Sequence, residues 1–266
     1  YELEFISLQN LKNMFMKQMK FLLVALMAVV MSVSVTSCMK SENESSYDLG
    51  IYATVVDNMT VTLLSDDGNV YYPENPAALK VSGETPYPKR VFAYLKYAEG
   101  VTAASEKKIV TVVQSGSLYT RSLCTQPDTI KNDIPLAGLS EFVLVDTKQV
   151  LYTNVPAYCN VLFSLYIDDS TVIVDLVPVT ASGNELTVKL QQTIGNKDAS
   201  YTTSGYASFS IPSVSEINRV LAEIHKDSEE VPVLTSVGGK IKIKIIGEGK
   251  NQQAYTLSAK EVQIDN

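Results

Sequence analysis

Glu185-Leu186-Thr187-Val188-Lys189-Leu190 alternates apolar and polar side chains without a break. A period of two is the signature of a strand with one face buried and one face wet. The same pattern recurs outward from this stretch. In Gly205 to Ile211, Ala207, Phe209 and Ile211 form the inner face, and Tyr206, Ser208 and Ser210 the outer. Lys240 to Ile245 sets three Ile against three Lys. Ala157 to Ile167 places Cys159, Val161, Phe163, Leu165 and Ile167 on one side. Turn residues separate such runs. Ser65-Asp66-Asp67-Gly68-Asn69 has an Asp-Gly pair suited to a hairpin, and Asp168-Asp169-Ser170, Gly195 to Asp198 and Gly238-Gly239 mark further breaks.

One segment departs from the period of two. Ser213 with Glu216 three residues on reads as a capping box. Val214, Ile217, Val220, Leu221 and Ile224 then recur at helical spacing, which predicts one amphipathic helix over 214–226. The fold class is therefore mainly β. About five strands between residues 49 and 121 suit a small OB-like β-barrel. The Pro-, Asp- and Thr-rich stretch 122–138 reads as a linker, and 139–266 as an antiparallel β-sandwich carrying the helix.

The first 37 residues read as an address rather than as structure. Met16 to Lys20 is a short basic start, and Phe21 to Met31 is an unbroken apolar run too short to span a bilayer. Val35-Thr36-Ser37-Cys38 resembles a bacterial lipobox, with Val where Leu is usual. The Cys38 thiol is then the lipidation site, and the lipid is the membrane partner. The residues before Met16 read as an over-extended reading frame, with Met14, Met16 and Met19 as candidate starts. Residues 38–48 are short and polar and read as a tether. Lys40, Glu42 and Glu44 resemble the export stretch of surface lipoproteins and equally suit an ordinary solvated linker. The expected location is the outer membrane, facing the periplasm or the cell surface.

Composition narrows the chemistry. The chain has 266 residues and a net charge of −7, which argues against a nucleic-acid partner and against lying flat on an acidic membrane. It has one His, three Cys, no Trp and 15 Tyr. No phosphate-binding loop, nucleophile elbow or His-Glu-x-x-His stretch is present, so no catalytic residue, cofactor or metal ligand is assigned. His225 reads as a cap at the helix C-terminus, and Asp66-Asp67 and Asp168-Asp169 as turn formers. Cys124 and Cys159 are candidates for a disulfide stapling linker to sandwich, with two free thiols as the other reading. The candidate binding surface consists of tyrosines: Tyr71, Tyr72, Tyr158, Tyr166 and Tyr206. Exposed rings suit a protein or glycan ligand, whereas half-buried rings are ordinary cover for small β-domains.

The order of features resembles the NigD-like lipoproteins of Bacteroidetes. The stretches that carry the resemblance are Ala53 to Asn75, Lys89 to Val113, Tyr158 to Asp168 and Glu185 to Ile211, the last including Ser204 to Phe209. Two departures stand out. Thr193 to Asn196 replaces a His-Asn pair frequent in the family, and Asp227 to Gly238 matches nothing in it. The resemblance implies an OB-like domain followed by a β-sandwich, and a non-catalytic role connected with bacteriocin immunity. The alternative is a glycan-binding accessory of a polysaccharide-uptake system.

Overall fold

The structure is a computed structural model that describes residues 47–80, 86–123, 134–168, 172–196 and 198–264. The leader, Cys38, Cys124 and Asp169 lie outside the described residues.

Five strands close into a barrel in the order β1-β2-β3-β5-β4. They are β1 (Leu49–Asp57), β2 (Val61–Ser65), β3 (Val70–Pro73), β4 (Arg90–Tyr97) and β5 (Lys108–Ser117). Alternation puts Ile51, Ala53 and Val55 of β1 into the interior, where they meet Leu63, Tyr71, Val91, Leu95, Val110 and Val112. Closure leaves no free edge in this sheet. A short 3-10 turn, Pro76–Leu79, adds buried Leu79 to the core. The Asn75 side chain fixes that turn to β5, donating to the Val112 carbonyl at 2.9 Å and accepting from the Val112 amide at 2.8 Å.

The remaining strands form two four-stranded sheets that share one apolar core, and a hairpin. One sheet runs β6-β13-β10-β7 and the other β11-β12-β14-β15. The first contains β6 (Tyr119–Ser122), β7 (Leu136–Val145), β10 (Tyr158–Ile167) and β13 (Tyr201–Ser210). The second contains β11 (Ile173–Ser182), β12 (Glu185–Ile194), β14 (Lys240–Glu248) and β15 (Ala254–Gln263). The hairpin is β8 (Lys148–Val150) with β9 (Thr153–Val155). Val161, Phe163, Ala207 and Phe209 of the first sheet pack with Leu186, Val188, Ile241, Ile243 and Ile245 of the second.

The expected antiparallel sandwich holds except for one parallel pair in each sheet, β6 with β13 and β12 with β14. Parallel neighbours require a crossover. Between β12 and β14 the chain visits the other sheet as β13 and then forms the helix.

That helix, α1, spans Val214–Ile224, with Ser213 as N-cap accepting from the Glu216 amide at 3.3 Å. Ile217, Val220 and Leu221 are buried. The Asn218 side chain makes two hydrogen bonds to Leu234, at 2.8 and 2.9 Å, which pin the segment beyond the helix. His225 is the C-cap residue, and its Nε2 also donates to the Val179 carbonyl at 2.7 Å. Val179 falls at a bulge between Pro178 and Thr180, on the outermost strand of its sheet. The single His thus satisfies a carbonyl that the strand ladder leaves over.

Candidate functional site

The barrel sits against the outer face of the β6-β13-β10-β7 sheet, and one arginine organises the joint. Arg90, the first residue of β4, is fully buried. Its Nη1 and Nη2 form a fork onto Asp66 at 2.6 and 2.7 Å. Nη1 also donates to Thr54 Oγ1 at 3.1 Å, Nη2 to Asn160 Oδ1 at 3.3 Å and Nε to Ser208 Oγ at 3.0 Å. A guanidinium carries five N–H donors, and all five are used. Asn160 returns a bond to Asp66 at 2.8 Å, and Ser208 Oγ donates to Asn160 Oδ1 at 2.7 Å. The guanidinium also lies over the Tyr158 ring, 4.6 Å from its centroid. Thr54, Asp66 and Arg90 come from the barrel; Tyr158, Asn160 and Ser208 come from the sheet. A buried charge needs such complete pairing.

Aromatic and aliphatic packing flank the arginine. Tyr52 of β1 stacks on Tyr206 of β13 at 4.6 Å between centroids. Burial, with the nearby Asp66 carboxylate adding to it, pushes the Tyr206 hydroxyl well above the ordinary tyrosine range. Val56 and Leu64 of the barrel pack with Val145, Val150, Val155 and Tyr158.

Between the two bodies lies a cleft of about 640 Å³. Its walls are β1 with Thr54 and Asp57, β6 with Thr120 and Ser122, and β9 with Thr153 and Asn154; Tyr158 and Ser210 also line it. The lining is hydroxyl and amide groups among apolar side chains, with Lys89 and Arg121 supplying positive charge and Asp57 negative charge; Arg121 is paired with Asp175 at 2.6 Å. Such groups recognise a ligand by hydrogen bonds. His225 lies elsewhere, on the helix beside β11. No cluster of three or more His, Cys, Asp or Glu suited to a metal occurs among the described residues. No helix among them is long and apolar enough to cross a membrane.

The expected tyrosine surface is not a single platform. Tyr71 lies inside the barrel core, and Tyr158 is buried at the joint. Tyr206 is half covered by Tyr52. Tyr72 and Tyr166 are half-buried beneath Lys107 and Lys250, at 5.1 and 3.8 Å. Tyr71 is thus core, and the other four rings cover β surfaces because their outward faces meet another part of the chain. Of the two readings for Cys124 and Cys159, a disulfide or two free thiols, only Cys159 falls among the described residues. That thiol is free and fully buried, and burial pushes its pKa far above the usual value.

Sequence reading missed Arg90, Asn160 and Ser208, and saw in Asp66 only a turn former. An Arg heading the apolar run Val91-Phe92-Ala93, and an Asn inside Cys159 to Phe163, were the available signals. It also missed Tyr152, which stands 92% exposed at the tip of the β8–β9 hairpin.

No family model matches the chain, and no curated protein matches it. Among solved structures it is similar to a toxin-related protein of Parabacteroides distasonis, 14% identical, with TM-score 0.50 over 79% of this chain and 91% of that one. It is also similar to a protein of Bacteroides fragilis described as a lipoprotein, 12% identical, with TM-score 0.46 over 82% and 98%. A NigD-like immunity protein of Bacteroides caccae is 14% identical, with TM-score 0.43 over 80% and 94%. At such identities the likeness is one of fold.

Proposed function

We propose that this is a non-catalytic lipoprotein, anchored through Cys38 in the outer membrane or at the cell surface, that binds a protein or glycan partner. The closed order β1-β2-β3-β5-β4 supports the OB-like reading of the barrel, and the resemblance noted in the sequence suggests a role in bacteriocin immunity. The observation that carries the reading is the cleft of about 640 Å³ between barrel and sandwich. Its volume falls in the range of ligand sites, and its polar groups are held by rigid strands on both sides. The Arg90 network fixes the two walls relative to each other, so the site is preformed.

Two measurements test it. Metabolic labelling with a palmitate analogue should mark the full chain and not Cys38→Ala. A photo-reactive benzophenone side chain at Asn154 should capture a partner in producing cells, and Ser210→Trp, which fills the cleft, should abolish the capture. Absence of any protein or glycan adduct at Asn154 overturns the binding role.

A further inference from the structure

Two turns meet at the rim of the cleft. The β1–β2 turn carries Asn58 and Met59, and the β8–β9 turn is Leu151-Tyr152. Asn58 Nδ2 donates to the Leu151 carbonyl at 2.7 Å and to Thr153 Oγ1 at 3.1 Å, which latches one turn to the other. Past the latch the side chains point away from the fold. Met59 is 91% exposed, Tyr152 92% and Leu151 40%. The cleft wall begins at the next residue, Thr153.

The hairpin turn is made against its own backbone preference. Two-residue loops with positive φ at both positions favour Asn-Gly, because a Cβ is poorly accommodated there. Here Leu151 has φ 47° and Tyr152 φ 67°. The other non-glycine residues with positive φ among the described residues, Asn251 and Gln252, are polar, and Asn tolerates this region. Leu151 and Tyr152 accept the strain, and Tyr152 buries almost nothing in return. Local strain that the fold does not use is a mark of a functional segment.

We infer that Tyr152, Leu151 and Met59 form an apolar anchor that inserts into a pocket of a protein partner, the same partner that occupies the cleft. This rests on the binding role proposed above and names the partner's class. Projecting tips require a concave, apolar host, and Tyr and Met are enriched in the cores of protein interfaces. A glycan can stack on a ring but offers no pocket for a thioether and an isobutyl group together. A lipid surface is disfavoured by charge. Asp57 flanks one turn, Lys148 is the hairpin's single cation, and the chain carries a net −7. Nor can a planar surface seat the tips and fill the adjoining cleft.

The test uses the full lipidated chain in producing cells. Benzophenone side chains are placed singly at Met59, Tyr152 and Asn154, and at Tyr201, which is 68% exposed on β13, as a control. The expected result is one protein adduct of common mass at Met59, Tyr152 and Asn154, and none at Tyr201. A second variant, L151N/Y152G, installs the residues the turn prefers. It should raise Tm by about 2–4 °C per relieved position and cut capture at Asn154 at least tenfold. Capture at Asn154 without capture at the tips overturns this inference and leaves the binding role standing. No capture anywhere overturns both. An adduct of twice the chain's own mass, a periodate-sensitive smear, lipid adducts alone, undiminished capture by L151N/Y152G or an unraised Tm each overturn the anchor.

Discussion

Arg90 is where a single side chain decides most. Its guanidinium has no exposure, and the Asp66 side chain is only 18% exposed. Replacing such an arginine removes one partner of a desolvated pair and leaves Asp66 and Asn160 with unmet bonds. Arg90→Met should therefore cost about 3–5 kcal/mol in denaturant unfolding. Arg90→Met combined with Asp66→Asn should recover part of that loss, because the stranded charge is gone. Asp67, one residue on, has a different role. Burial pushes its carboxyl up, but hydrogen bonds from the Asn69 amide and side chain and from Ser65, with the Lys148 charge, hold it below the usual value. A carboxyl depressed in the fold adds stability that is present above its unfolded pKa and is lost as pH falls through the folded one. Asp67→Asn should lower stability at neutral pH, and the deficit against the native chain should shrink as pH falls below the ordinary carboxylate range, in paired pH-dependent melts.

At the scale of elements, the sequence was readable wherever alternation was unbroken. β12, β13, β14 and the helix with its Ser213 cap lie where their periods placed them. The cap has a consequence of its own. Ser213→Ala removes the acceptor for the Glu216 amide and should cost about 1 kcal/mol, read as a shift in the urea midpoint with an unchanged slope. Other elements were opaque for definable reasons. β8 and β9 are three residues each, too short to show a period, and their turn lacks the Asn-Gly signal. β6 is four residues long, and each of its residues pairs with one of β13 that lies 88 positions on, as Tyr119 with Ala207. No local pattern announces such a pairing. The bulge at Val179 was equally hidden, yet it is what gives His225 its work.

Across the whole molecule, alternation tells which side of a strand is polar but not what covers it. Ser208 and Tyr206 read as wet, and both meet the barrel. The joint that frames the cleft was therefore illegible from periodicity, although each half was visible. It also couples two otherwise separate cores, one inside the barrel and one between the sheets. The link consists of the Arg90 network, the Tyr52–Tyr206 stack and the small cluster around Val56 and Tyr158. If these contacts carry the coupling, the native chain should melt in one transition, seen equally by calorimetry and by circular dichroism. Asn160→Ala with Ser208→Ala removes four of the network's side-chain bonds and leaves both cores untouched. That variant should separate the transition, and amides of β4 such as Val91 to Leu95 should exchange before those of β12 and β14. A single lowered transition, with barrel and sandwich amides still exchanging together, would mean that the apolar cluster alone binds the two halves.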